Sequence, residues 1–187
     1  MDRLLTRLRS ALADARRVPE PEAVAPSGAA LGEDLVAAFR SALEAADGQL
    51  EVVEDEPAAR ALLAARWPEA VMLDIDDDPT EDALRAAEVG VDRADHLIAE
   101  TGTVIRSYAG RAEARITLVP PVSVFLARKD ALIRDLPQAL EAVAAAHREG
   151  RHYTVLVTGP SRTADIEKQL VIPAHGPREL LVVLCSA

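Results

Sequence analysis

Apolar residues along this chain change their spacing several times, and each change predicts an element. Leu4, Leu5, Leu8, Ala11, Leu12 and Ala15 recur at helical spacing, which predicts an amphipathic helix over residues 2–17. Val18 to Gly32 has no period and holds three prolines and two glycines, the composition of a linker. Residues 1–32 therefore read as an appendage and residues 33–187 as the folded domain. From Glu33 the pattern alternates. Leu35, Val36, Phe39, Leu43 and Ala46 predict a helix, and Leu50–Val53 a short strand. Pro57–Arg66 predicts a second helix, with proline near its start, where a missing N–H costs nothing. Ala70–Leu73 follows as a strand and Thr80–Val89 as a helix, with Thr80 placed to cap it.

The second half is denser in strands. Asp95–Glu100 and Thr103–Ser107 are expected as strands joined tightly by Thr101-Gly102, and Arg115–Leu118 and Val122–Ala127 as strands flanking Pro120-Pro121. Leu136–His147 reads as a helix with Leu136, Leu140 and Val143 on one apolar face. Tyr153–Val157 is expected as a strand, Ala164–Gln169 as a short helix and Leu180–Leu184 as a closing strand. Short helices alternating with short strands point to an α/β fold in which helices cover the faces of a sheet.

Composition narrows the functional classes. The hydrophobic fraction is 49% but aromatics make up only 3%, so the core must rest on Ala, Val, Leu and Ile. Few aromatics and a net charge of −10 argue against nucleic acid, which needs stacking platforms or a basic face. The one acidic run, Asp74-Ile75-Asp76-Asp77-Asp78, lacks the glycine and distal glutamate of a calcium loop, and reads as a solvated strand-to-helix connection. No metal site is expected. The single cysteine, Cys185, lies in an apolar stretch and reads as a small buried hydrophobe. No apolar run reaches the roughly 18–20 residues of a membrane span. The N-terminus also lacks the apolar core of a secretory signal, so a cytoplasmic protein is expected.

Three polar segments can carry chemistry. In Thr158–Glu167 (TGPSRTADIE), a strand runs into Gly159-Pro160 and then a polar turn. Ser161 and Thr163 bring hydroxyls there, Arg162 a fork of donors, and exposed N–H groups can hold an anion. Thr163 can equally cap a helix whose first turn carries Asp165 and Glu167, and the residue types leave both readings open. In Ala99–Thr103 (AETGT), Glu100 follows an apolar stretch and precedes Thr101, Gly102 and Thr103. It is a candidate base, nucleophile or metal partner, or simply part of a polar hairpin tip, with Asp95 and His96 close in sequence. In Ala174–Leu180 (AHGPREL), His175 can titrate near neutral pH, Gly176-Pro177 make a turn, and Arg178 can read a carboxylate. There is no G-x-G-x-x-G after a strand, no P-loop, no H-E-x-x-H and no nucleophile elbow.

Taken together, AETGT, TGPSRTADIE and HGPREL resemble the signature of the LUD family, over roughly Val91 to Leu184. That resemblance implies a three-layer αβα fold similar to the NagB/RpiA/CoA-transferase group. It further implies a role in oxidising L-lactate to pyruvate beside two iron–sulfur partner proteins. Larger relatives carry a ferredoxin-like cysteine region. With Cys185 alone, this chain is expected to hold no cofactor, and the clusters are expected on the partners. Two readings follow. The first is a subunit or accessory protein, not necessarily catalytic, that binds a small anion at a site joining residues 100–103, 161–165 and 175–178. Arg162 or Arg178 would hold the anion, and Glu100 and His175 would handle protons. The second is a stand-alone sugar-phosphate isomerase or CoA-transferase-like enzyme that uses Glu100.

Overall fold

A computed structural model describes residues 31–77, 80–161, 163–164, 170–171 and 176–186. The expected helix at 2–17 and most of the linker lie outside these residues. Asp34 opens helix α1 (Leu35–Ala45) by accepting from the amides of Val36 and Ala37, at 3.1 and 3.0 Å. Strand β1 (Gln49–Val53) leads to helix α2 (Glu56–Arg66), capped by Asp55 at 2.8 Å from the Ala58 amide. Strand β2 (Met72–Asp74) follows. Helix α3 (Glu81–Ala86) is capped by Thr80 as the sequence predicts, and strand β3 is Val89–Arg93. The chain then forms β4 (His96–Ile98), β5 (Thr103–Tyr108), β6 (Val122–Arg128) and β7 (Leu132–Ile133). Helix α4 (Leu136–Arg148), β8 (Tyr153–Val157), the short pair β9 (Thr163–Ala164) and β10 (Leu170–Val171), and β11 (Glu179–Cys185) complete it.

The strands make two principal sheets. β1-β11-β6-β3-β2 is wholly parallel, and β7-β4-β5-β8 is mixed, its longest pairings antiparallel. β11 is covered on both faces, which is why its sequence is an unbroken apolar run. Leu180, Val182 and Leu184 pack with Phe39 and Leu43 of α1 and with Leu97 and Val104 of the second sheet. Leu181, Val183 and Cys185 pack with Ala59 and Leu63 of α2. One face of the parallel sheet thus carries α2, and the other carries α1 with the second sheet. Helix α4 lies on the second sheet's far face, where Ala139 meets Ile98 and Ile105.

Four expectations need correction. Residues 113–117 form a 3-10 turn rather than a strand at 115–118; four alternating residues are too few to set a strand apart, and Thr117 turns back to the Ala114 carbonyl at 3.2 Å. That turn presses on β3, a strand the apolar pattern hid. A Cβ on Gly90 would lie 1.8 Å from the Ile116 carbonyl oxygen, so a side chain is excluded just where the pattern needed one. On α4 the buried residues are Ala139 and Ala146, because small side chains let helix and sheet approach, and Leu136 and Leu140 are exposed. Finally, Thr163–Ala164 pairs antiparallel with Leu170–Val171, so the short helix expected from Ala164 does not begin there, and residues 165–169 lie outside the described residues.

The sheets are bolted together by a buried polar network. Asp92 of β3 accepts from the Tyr108 hydroxyl of β5 at 2.7 Å and lies 3.3 Å from Arg106 Nε. Arg106 also reaches Asp95 at 3.1 Å, and Asp95 accepts from the Ser107 amide at 2.6 Å and pairs with Arg151 at 2.9 Å. Burial pushes the Asp92 carboxyl above its ordinary 3.8, with the Arg106 guanidinium opposing the shift. An acid whose pKa is raised by folding adds stability below its unfolded value and loses it as pH rises through its folded value. Wild-type stability relative to Asp92→Asn should therefore fall across that window, as urea midpoints taken from about pH 3 to pH 8 would record. Gly90→Ala should cost about 3 kcal/mol or block folding, because a backbone carbonyl has to move; thermal unfolding checks this.

Candidate functional site

The three segments singled out in the sequence meet in space. Thr101 Oγ1 lies 2.7 Å from Thr103 Oγ1, which lies 2.6 Å from Thr158 Oγ1, so the first segment is joined to the second by a chain of hydroxyls. The Ser161 amide donates to the Pro177 carbonyl at 2.9 Å, which joins the second segment to the third. The glycines have steric reasons. Gly102 and Gly159 both have positive φ, and a Cβ on either would strike the backbone of α1, 2.3 Å from Leu43 N and 2.0 Å from Ala46 O. Gly176, also at positive φ, sits against Ser161, whose Cβ would be 2.9 Å from an added methyl.

The cluster's location differs from the expectation. A strand running into a polar turn in an open α/β sheet places that turn at the strand's carboxyl end, the usual ligand position. β8, however, belongs to the second sheet and runs antiparallel to β5. Gly176 and Pro177 precede β11, and the C-terminus of α1 precedes β1, so the cluster stands at the amino-terminal edge of the parallel sheet. Glu100 is half-buried there, its amide donating to the Arg134 carbonyl at 3.1 Å, and Arg178 is exposed, its amide donating to the Pro121 carbonyl at 2.7 Å. Arg162, Asp165 and His175 lie outside the described residues, as does the side chain of Thr163. Asp95 and His96 do not join Glu100. β4 carries them to the opposite edge.

That opposite edge holds a hollow of about 520 Å³ that sequence reasoning missed. It is formed where β3, β6 and β11 end, and is lined by Arg93, His96, Arg128 and Glu56 together with Leu126, Ala131 and Cys185. Arg93 is held by Glu56 at 3.1 Å and Asp76 at 2.8 Å. Arg128 and Asp130 form a two-toothed pair at 2.7 and 3.1 Å. Burial, then nearby Glu56 and Asp55, push the Cys185 thiol up, so it stays protonated at neutral pH and is a poor nucleophile. A basic residue closing each of two apolar runs, VGVDR and VSVFLAR, is the signal that marks this edge. The acidic run 74–78 shows how Asp74 and Asp76 are used: both lie beside Arg93, and Asp74 also pairs with Arg60. Among the described residues no group of His, Cys, Asp and Glu is arranged to hold a metal ion.

The architecture is that of a mixed α/β protein built on a parallel sheet with flanking helices. Residues 64–185 match the family described as LUD domain, and the chain belongs to that family. It is 35% identical over 135 residues to lactate utilization protein C of Deinococcus radiodurans, a match covering 68% of this chain and 63% of that protein. It is 28% identical over 142 residues to the Bacillus subtilis protein of the same name, covering 71% of this chain and 58% of the other. The Geobacillus kaustophilus protein is 29% identical over 172 residues, covering 82% and 69%. The match thus spans under two thirds of the first two relatives. The fold is similar to the crystal structure of a DUF162 family protein from D. radiodurans, with a TM-score of 0.63 and 20% identity, over 81% of this chain and 96% of that one.

The hydroxyl chain gives the site a structural test. Thr103 is almost fully buried between two exposed threonines, so Thr103→Val removes both hydrogen bonds of the chain and leaves Thr101 and Thr158 to water. The expected loss is about 1–2 kcal/mol, read from urea denaturation. A change below about 0.5 kcal/mol would show that the three threonines do not hold the segments together.

Proposed function

We propose that this chain serves lactate utilization, as a cytoplasmic subunit or accessory protein of an iron–sulfur system that oxidises L-lactate to pyruvate. It would bind a small anionic ligand where the three segments join. The observation that carries the site is their convergence, through the Thr103–Thr158 contact of 2.6 Å and the Ser161–Pro177 hydrogen bond of 2.9 Å. The pathway rests on the name carried by the relatives. Among the described residues no helix is long and apolar enough to cross a membrane.

Oxidising lactate to pyruvate releases two electrons and two protons. The sequence contains a single cysteine, and an iron–sulfur cluster commonly takes four, so in this reading the electrons pass to clusters on partner proteins. Arg162 or Arg178 would hold the substrate carboxylate through a paired set of N–H donors. Glu100 and His175 would take up the protons, with Ser161, Thr163 and Asp165 bonding the rest of a small polar ligand.

A half-buried glutamate also keeps the isomerase or CoA-transferase reading in play, with Glu100 as base or nucleophile. One experiment separates the two. Adding the chain to its iron–sulfur partners should raise lactate-dependent dye reduction and produce a complex on size exclusion. Glu100→Gln alone should lower turnover by a factor of about 10²–10⁴ if its carboxylate moves a proton. No complex and no change in lactate-dependent reduction would remove the first reading, and full activity of the Glu100→Gln variant would remove Glu100 from either mechanism.

A further inference from the structure

We propose that the hollow at the carboxyl ends of β3, β6 and β11 binds an organic anion with an apolar body, its charged end held at Arg128 and Lys129. The site lies at the opposite edge of the sheet from the Thr103–Thr158 cluster and does not rest on the lactate reading.

Size and position come first. A volume of about 520 Å³ falls in the range of clefts that enclose cofactor-sized ligands, and the carboxyl edge of a parallel sheet is where such clefts gather. Leu126, Ala127, Ala131 and Cys185 give it a buried apolar wall. A second hollow of about 330 Å³, lined by Arg128, Lys129, Asp130 and Ser186, shares Arg128 and Asp130 with the first. The two therefore adjoin across one guanidinium. The inner one has apolar side chains in its wall, and the outer one is lined by Arg128, Lys129, Asp130 and Ser186.

Charge decides which end of a ligand goes where. Of the acids lining the inner hollow, Glu56 is engaged by Arg60 and Arg93. Asp95 is engaged by Arg106, Arg151 and the Ser107 amide. Among the described residues the Asp130 side chain pairs with Arg128 alone, two residues away, and the side chains of that pair are 67% and 74% exposed. Exposed pairs of this kind are weak, so an incoming anion can replace Asp130 on the guanidinium fork. Lys129, beside it, makes no ion pair among the described residues. A carboxylate and a phosphate monoester share the chemistry that Arg128 and Lys129 recognise.

Calorimetric titration of the full chain with octanoate tests the proposal, with octyl phosphate, acetate and octylammonium as comparisons. One of the two alkyl anions should bind one to one, and the tighter identifies the head group. Acetate lacks the apolar body and octylammonium reverses the charge, and each should bind at least about tenfold more weakly. The double variant Arg128→Glu with Lys129→Glu should weaken the alkyl anion by at least about tenfold, while Arg85→Glu, a surface reversal elsewhere, leaves it unchanged. Ala131→Phe, which fills the wall, should also abolish binding. Should that variant fail to fold by circular dichroism, the surface double variant carries the test alone. Failure of both alkyl anions to bind, equal binding of octylammonium, or full affinity in the double variant would each overturn the proposal.

Discussion

The contact on which the rest depends is the one between Asp92 and the Arg106–Tyr108 pair. A carboxylate taken fully out of water is costly unless its oxygens are answered, and here they are answered by Tyr108 and Arg106 of the other sheet together with the neighbouring Arg93 amide at 2.6 Å. Sliding β5 past β3 by one residue would leave Asp92 facing apolar neighbours. The offset between the two sheets is therefore set by polar geometry, on top of an apolar contact built from Val, Leu and Phe that many offsets would satisfy. Both edges of the molecule inherit that setting. β5 begins at Thr103, in the hydroxyl chain, and Asp95, which pairs with Arg106, lies beside the hollow at the far edge.

How much of this the sequence announces depends on whether an element's neighbours are written in its own residues. β6 and β11 are legible because strands buried on both faces are largely apolar, and the Thr80 cap marks its helix start by local chemistry alone. β3 is not legible. Gly90 is there for the Ile116 carbonyl and Asp92 for Arg106, and both partners are distant in sequence. Likewise α4 is recognisable as a helix, but its buried face is not, because close packing on a sheet favours Ala139 over Leu140.

The candidate sites divide the same way. Residue types alone left AETGT, TGPSRTADIE and HGPREL as three separate weak signals, and only their joint resemblance to one family suggested that they meet. The described structure supplies the reason they meet, since their glycines accept the close approach of α1 and of Ser161. The hollow at the other edge is not legible in the sequence, because its residues come from element ends far apart along the chain. Each charged one, taken alone, looks like an ordinary surface charge, and the apolar ones look like core.

The seat of Gly102 and Gly159 on α1 bears on where this folding unit starts. The family match begins at residue 64, but the backbone against which both glycines close belongs to Leu43 and Ala46. A chain cut at that boundary would lose α1, β1 and most of α2. It would bare Leu97, Val104, Leu180, Val182 and Leu184 on one side of the sheet and Leu181 and Val183 on the other. The matched stretch is thus not packed on itself alone. Its floor is laid by residues that precede it, and any side chain at Gly102 or Gly159 would push that floor away.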